Sequence, residues 1–376
     1  MIVSRIINGI EIDIETTEAN TLYFDDEQTS ELQSYDVESI KEFLFSRTYE
    51  YAPYSVMWEL TNCCNLSCQF CYINCAGLKK VKFSTLEVCK TVIDGLVDSG
   101  MLFCTLTGGE CLLHPDFPAI YTYLKQKGVL VSVFTNATLL QPSHFALFKE
   151  YPPYKVEVSI YGMCEESFNL TTNSVGTMYK TVLDNILSLG AMGIQVVCKT
   201  PLNALTEKDT PAIKAWCKEN NIPFYNSPEL LDAYSGESLA GFRASEAIVK
   251  EYEIRMYKEL ARSTQQRHGR KKAFDCPGGK MIAFLSYDMD IYPCSSAYGI
   301  SELAVHIREN GILEAVNNLR AIINSQKEKT FSKCAGCNYY DVCSYCIVDE
   351  YKDRRDFCKK FQSSVRMWRT GKEGQV

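Results

Sequence analysis

The chain has 376 residues, 46% of them hydrophobic and 12% aromatic, which is ample for a packed globule and excludes a disordered one. Its 39 basic and 46 acidic residues leave a formal charge of −7, without the basic footprint that nucleic-acid binding calls for. No apolar run approaches 18 residues, so no membrane-spanning helix is expected.

The length points to two or three domains. The start, Met1-Ile2-Val3-Ser4-Arg5, lacks the charged-then-apolar layout of a signal peptide, so a cytoplasmic location is expected. Eighteen cysteines in a reducing compartment read as metal ligands rather than disulfides. Charge is uneven: residues 1–50 hold twelve acidic and three basic residues, and residues 351–376 hold eight basic and three acidic. The basic tail reads as a solvated terminal helix.

Residues 1–52 open with apolar alternation through Ile6, Ile7, Ile10, Ile12 and Ile14 and continue through Thr21-Leu22-Tyr23-Phe24. A helical pattern follows at Val37, Ile40, Phe43 and Leu44. Together they predict a small α+β appendage, a hairpin plus helix. It is expected either to bind a peptide by strand addition or to cover the main domain.

Directly after the apolar run at residues 56–61, Cys64, Cys68 and Cys71 place three thiols within eight residues. Three thiolates can hold a metal or iron–sulfur cluster but leave one position open, as catalysis requires. The bland alternative is a trio of small buried residues. The spacing and the strand-then-loop setting argue against that.

From Ser55 onward strand and helix alternate. Strands are predicted at 55–60, 101–106, 129–135, 155–161, 194–199 and 222–226, and helices near 84–98, 115–127, 142–150, 176–190 and 208–220. Gly100, Gly128, Gly193 and Asn221 stand where helices should stop. Six such units predict a parallel sheet curled into a partial (β/α)6 TIM-type barrel, with ligands at the carboxyl ends of the strands. The loop after the second strand carries Thr107-Gly108-Gly109-Glu110. Its paired glycines allow close backbone approach to a ligand, and its carboxylate could take an ammonium group. Alone this is an ordinary turn; its place beside the thiol loop gives it weight. Thr135-Asn136, Ser159, Lys199 and Asn203 also stand at strand ends. Each offers a nucleoside contact, and each reads more simply as a cap or satisfied polar group.

Residues 228–272 read as a polar helical connection ending in a solvated basic run. His114, His144, His268 and His306 form no ligand-spaced pair and read as structural. Cysteines then return at Cys276, Cys294, Cys334, Cys337, Cys343, Cys346 and Cys358. Two pairs with two residues inside each and five between them are too close for a zinc ribbon and fit iron–sulfur ligation better, with zinc as the alternative.

The two cysteine sets together resemble the radical SAM enzymes with a C-terminal SPASM domain, over about residues 55–365. The resemblance implies a barrel at 53–270, a SPASM domain at 271–365 and a basic tail at 366–376. It implies that Cys64, Cys68 and Cys71 bind a [4Fe-4S] cluster whose fourth iron is chelated by S-adenosylmethionine. Phe70 would fill the aromatic position beside the last cysteine, Tyr72 would lie near the adenine, Gly108-Gly109-Glu110 would bind the methionine amino group, and Ser159 would contact the ribose. Two auxiliary [4Fe-4S] clusters are implied. Cys334, Cys337, Cys343 and Cys358 would hold one, and Cys276, Cys294 and Cys346 the other, with a fourth ligand unassigned. The sequence departs from the family at Met289, where a glycine is usual, and in the spacing from Cys343 to Cys346.

The chemistry implied is a 5′-deoxyadenosyl radical that abstracts an unactivated hydrogen. An electron donor such as flavodoxin or ferredoxin would serve it, and neither nucleic acid nor membrane would take part. The residues around Cys71 and Glu110 look most like maturases of ribosomally made peptides, which join side chains by carbon–carbon or thioether bonds on a precursor peptide or protein. The alternatives are an anaerobic sulfatase-maturase-like enzyme forming formylglycine, a haem-pathway oxidase, and a non-catalytic iron–sulfur or zinc-binding interaction protein.

Overall fold

The computed structural model describes residues 1–7, 10–17, 22–26, 29–35, 51–73, 82–228, 230, 233, 237–263, 274, 276–307, 311–327, 346 and 348. Six parallel strands form in chain order: β5 (Ser55–Glu59), β6 (Phe103–Thr107), β7 (Leu130–Thr135), β8 (Lys155–Ser159), β9 (Val196–Pro201) and β10 (Phe224–Ser227). Helices α1 (Leu86–Asp98), α2 (Phe117–Gln126), α3 (Pro142–Glu150), α5 (Met178–Ala191) and α6 (Thr210–Glu219) connect them, near the expected bounds. One further helix, α4 (Glu165–Thr172), lies between β8 and α5, where no helix was expected. Its sequence, EESFNLTT, has too few apolar positions to show a helical period.

Alternation divides each strand between two faces. Val56 and Trp58 of β5, Leu106 of β6, Val131 and Val133 of β7, and Val156 and Val158 of β8 are buried in one core. With them lie Ile93 and Leu96 of α1, Ile120 and Leu124 of α2, and Ile186 and Leu189 of α5. The opposite face carries the polar Glu59, Thr105, Ser132 and Glu157 alongside Met57 and Phe134 into the barrel interior. Asn221 ends α6 with φ +56°, a left-handed cap that asparagine tolerates.

The sheet does not stop at β5. Strand β11 (Ile282–Leu285) pairs in parallel on its free side, and β12 (Asp290–Tyr292) and β13 (Val305–His306) continue antiparallel, giving nine strands in one sheet. Helix α7 (Glu246–Ser263) precedes this extension. Helix α8 (Ile312–Lys327) follows it and packs on α1, so closely that a side chain at Gly95 would strike Ile312. Among the described residues no helix is long and apolar enough to cross a membrane.

The N-terminal segment forms a four-stranded meander, not the single hairpin expected: β1 (Ile2–Ile7), β2 (Ile10–Glu15), β3 (Leu22–Asp26) and β4 (Thr29–Tyr35). The polar sequence of β4, TSELQSY, carries no apolar alternation to reveal it. The helix expected through Val37 and Leu44 lies outside the described residues. Ile7, Ile12 and Ile14 pack on Tyr54, Leu102, Phe103, Leu130 and Met281, which stand at the amino ends of the barrel strands. Arg5 donates to the carbonyls of Met101 (2.5 Å) and Val97 (2.8 Å). The meander therefore covers the end of the barrel opposite the three-cysteine loop.

Beneath it Lys125 is fully buried, its Nζ donating to the Pro152 carbonyl at 2.7 Å. Burial pushes its pKa from 10.5 down to about 7, with Glu15 opposing. Between those values the unfolded chain binds a proton that the folded chain does not, so stability rises with pH from about 7 to 10. Urea titrations over that range are expected to show this rise in the wild-type protein and a shallower one in Lys125→Met. Equal slopes would rule out Lys125 as the source.

Candidate active site

Strand β5 hands the chain to the cysteine loop through a pinned turn. Leu60 N donates to Thr107 O (2.9 Å), Thr61 Oγ1 donates to Lys82 O (3.0 Å), and Cys63 N donates to Thr61 Oγ1 (3.0 Å). Within the loop Cys71 N donates to Cys68 O at 3.1 Å. The far side is held by the unforeseen α4. Ser67 N donates to Thr172 O (3.0 Å), Gln69 N to Thr171 O (3.4 Å) and Gln69 Nε2 to Leu170 O (2.8 Å). These are carbonyls of the last turn of α4, free of intrahelical partners, so the loop caps a helix while the helix positions the loop.

The Gly108-Gly109-Glu110 turn packs against the same loop. Gly109 N donates to Thr61 O (2.9 Å) and Glu110 N to Cys63 O (2.8 Å). A Cβ on Gly109 would stand 2.3 Å from Cys63 O, and one on Gly108, whose φ is +145°, would stand 2.5 Å from Thr61 O. The glycines let the turn approach the cysteine loop, a constraint present before any ligand binds. Glu110 is 1% exposed. Its carboxylate accepts from Thr135 Oγ1 (2.7 Å), Leu112 N (3.2 Å) and Asn136 N (2.8 Å), tying the turn to the end of β7. Burial pushes its pKa up, and these donors partly offset that.

Cys64 Sγ accepts from Leu66 N at 3.4 Å and from Asn136 Nδ2 at 3.8 Å. Burial, with Cys71 and Cys64 nearby, pushes the Cys68 thiol up. Phe70 is buried, and its ring meets Tyr161 edge-on at 5.7 Å. Tyr161 in turn packs on Phe168 at 6.4 Å and hydrogen-bonds Ser159 at the end of β8. Tyr161 thus stands beside the thiols with Ser159 as its hydrogen-bond partner, and Tyr72 follows Cys71 half-buried. Sequence reasoning passed over Tyr161, although it sits two residues past Ser159 on the same alternation.

Deeper in the barrel Glu157 is buried between two lysines, Lys155 Nζ at 2.6 Å and Lys199. Lys199 also lies over the Phe134 ring at 5.1 Å. Burial alone would push Glu157 up, but the two lysines together hold it below the usual carboxylate range. Asn203 serves as a turn cap, its Oδ1 accepting from Leu205 N (2.9 Å) and Thr206 N (3.2 Å). His114 bridges Ser84 O (3.1 Å) and Asp116 N (3.1 Å), a structural role.

At the sheet extension Cys276 and Cys294 converge. A Cβ on Gly278 would lie 3.7 Å from Cys276 Sγ and 3.6 Å from Cys294 Cβ. Cys346 packs against the main core, while Cys334, Cys337, Cys343 and Cys358 lie outside the described residues. Met289, in the turn joining β11 to β12, has φ +64°. The departure from glycine thus falls at a left-handed position, where methionine stands at a cost of about 1–2 kcal/mol. Of the eight cysteines without an assigned role, Cys89, Cys104, Cys198 and Cys217 are buried in the core as packing residues, while Cys111 Sγ donates to Glu110 Oε1 at 3.8 Å and to Phe134 O at 3.6 Å.

A parallel βα barrel with three thiols in the loop after its first strand, backed by a glycine pair and a buried carboxylate, is the frame of a cluster-dependent barrel enzyme. Residues 58–211 match the Radical SAM superfamily, and the chain carries a radical SAM domain. That domain implies S-adenosylmethionine and a [4Fe-4S] cluster. The residues present fit the cluster: besides the three thiols, two N–H groups point at Cys64 Sγ and cast it as an acceptor, as a thiolate ligand is.

The chain is 28% identical to the Fe-coproporphyrin III synthase of Methanosarcina barkeri over 45% of its own length and 42% of that protein. It is 36% identical to the antilisterial bacteriocin subtilosin biosynthesis protein AlbA of Bacillus subtilis over 26% of its length and 22% of that protein. These matches span less than half of either relative. The AdoMet-dependent heme synthase of M. barkeri is 24% identical over 86% of this chain and 98% of its own. The crystal structure of Streptococcus suis SuiB bound to S-adenosylmethionine superposes with a TM-score of 0.64 at 13% identity, covering 94% of this chain and 96% of that one, and shows the fold.

Proposed function

We propose that the chain is a radical SAM maturase that oxidatively modifies a ribosomally made peptide, forming a carbon–carbon or thioether cross-link. The observation that carries this reading is the interlock of the cysteine loop with the Gly108–Gly109 turn, together with a second converging pair, Cys276 and Cys294, in the sheet extension. When bound, the cluster and S-adenosylmethionine supply a 5′-deoxyadenosyl radical able to take a hydrogen atom from an unactivated carbon.

The chain's own residues then have separate tasks. Cys64, Cys68 and Cys71 hold the cluster, and Phe70 with Tyr161 walls it off from water. Tyr72 would face the adenine and Ser159 the ribose. The carboxylate of Glu110 is engaged by donors from β7 and its own turn, so backbone carbonyls of the glycine pair would receive the methionine ammonium while Glu110 keeps the turn in place. Cys276, Cys294 and Cys346 hold one auxiliary cluster, and Cys334, Cys337, Cys343 and Cys358 the other. Clusters held there would supply a sink for the electron that an oxidative cross-link releases, and a flavodoxin or ferredoxin would supply the first one.

The naming of AlbA as a bacteriocin biosynthesis protein favours a peptide substrate. A second reading, oxidation of a tetrapyrrole side chain, is favoured by the heme synthase, which aligns along nearly its whole length. Protein reconstituted anaerobically is expected to bind about twelve irons, four in each of three clusters. It is expected to cleave S-adenosylmethionine to 5′-deoxyadenosine, faster with a precursor peptide encoded beside it. Stimulation by iron coproporphyrin and not by peptide would favour the second reading. Zinc in place of iron, with no cleavage, would overturn both.

A further inference from the structure

We propose that Asn136 is a positioning residue for Cys64: its side-chain N–H donates to the Cys64 sulfur, orients that ligand and raises the reduction potential of the cluster held there. The proposal rests on the reading of Cys64, Cys68 and Cys71 as cluster ligands.

The orientation of the Asn136 amide is decided by its neighbours. Its Oδ1 accepts from Thr138 N at 2.9 Å and from Thr138 Oγ1 at 2.6 Å. A backbone N–H can only donate, so the oxygen must face Thr138 and the nitrogen must face away. There Nδ2 reaches Asn65 Oδ1 at 3.0 Å and Cys64 Sγ at 3.8 Å. Asn65 Nδ2 donates back to Thr138 Oγ1 at 2.8 Å, closing a ring of three side chains around the first ligand.

The backbone is held as firmly as the side chain. Asn136 is 7% exposed, and its N–H donates to the buried carboxylate of Glu110 at 2.8 Å. The next residue, Ala137, has φ +58°, a left-handed conformation unfavourable to a residue with a Cβ. Ala137 N donates to Thr135 Oγ1 (3.0 Å), and its carbonyl accepts from Asn185 Nδ2 (2.8 Å). A non-glycine residue persists there only because its surroundings over-determine it, and such strain gathers where geometry serves function. What this strained turn delivers is one amide N–H aimed at one sulfur.

The consequence follows from electrostatics. A hydrogen bond to a ligand sulfur draws negative charge off the iron–sulfur unit, and the reduced cluster carries one more negative charge than the oxidised one. The donor therefore stabilises the reduced form more and makes the cluster easier to reduce.

Asn136→Asp keeps both bonds from Thr138, removes the donor and adds a negative charge beside Cys64. The test uses the full-length reconstituted protein in a redox titration followed by electron paramagnetic resonance. It reads the signal that changes when S-adenosylmethionine is added, because only a cluster with an open iron responds to it. With iron content unchanged, the ratio of reduced to oxidised cluster at the wild-type midpoint is expected to fall about tenfold, a negative shift of about 59 mV for one electron. Asn136→Leu, which removes the donor without adding charge, is expected to shift in the same direction by less; it decides the matter if the aspartate variant loses iron. Unchanged midpoints in variants that keep their iron would overturn the proposal. A wild-type protein with no signal responsive to S-adenosylmethionine would overturn the underlying reading as well.

Discussion

Replacing Cys64, Cys68 and Cys71 together with alanine is expected to abolish cleavage of S-adenosylmethionine while leaving about eight of about twelve irons bound. The expectation of independence comes from the sheet. Strand β11 runs parallel to β5, with Ile282 opposite Ser55 and Leu285 opposite Trp58. Strand β12 returns antiparallel, so Cys294, two residues past Tyr292, lies level with the amino end of β5. The three-cysteine loop leaves the carboxyl end. Four residues of strand separate the two levels, about 13 Å at roughly 3.3 Å per residue. Thiols that far apart do not share a four-iron cluster. Iron analysis and product chromatography of the triple variant check this, and loss of all iron would show that the clusters are not independent.

Gly109→Ala is expected to be nearly as damaging without touching a ligand. The added methyl would stand 2.3 Å from Cys63 O and 3.0 Å from Cys64 N, both backbone atoms that cannot rotate away. Relief requires the turn and the cysteine loop to separate, at a cost of about 1–3 kcal/mol in stability. A displacement near 1 Å at the chemical centre costs about 100-fold in rate. The variant is therefore expected to lose the iron of the first cluster in part and to cleave S-adenosylmethionine about 100-fold more slowly. Gly190→Ala is the control. A Cβ there meets nothing within 4 Å, and alanine inside α5 is expected to add about 0.5–1 kcal/mol. Equal losses in both variants would show that the close approach at Gly109 is not the cause.

Much of the barrel was legible because its signals are local. Five of the six strands carry buried Val or Leu, and the helices between strands are closed by Gly100, Gly128, Gly193 and Asn221, which all have positive φ. Strand β4 and helix α4 were not legible. Both are polar and short, and both exist because a neighbour holds them: β3 in the first case, the cysteine loop in the second. The extension β11–β13 was missed for a related reason. Which edge of a sheet a later strand joins depends on which edge is left open, and spacing along a chain carries no information about that.

The site divides along the same line. The sequence alone determined the donor types on the loop, since thiols spaced three and two apart can be counted and their chemistry is intrinsic. It also determined that Met289 departs from glycine, though not that this residue would sit at φ +64°. Only the tertiary structure decided that the glycine pair serves loop-to-loop contact and that Glu110 is consumed by β7. It also decided that Cys276 and Cys294 meet across Gly278, and that Asn136 points at Cys64. Each of these joins residues 18 or more positions apart, and such contacts follow from the order and register of strands. Residue type settles what a side chain can do; the sheet settles what it is next to.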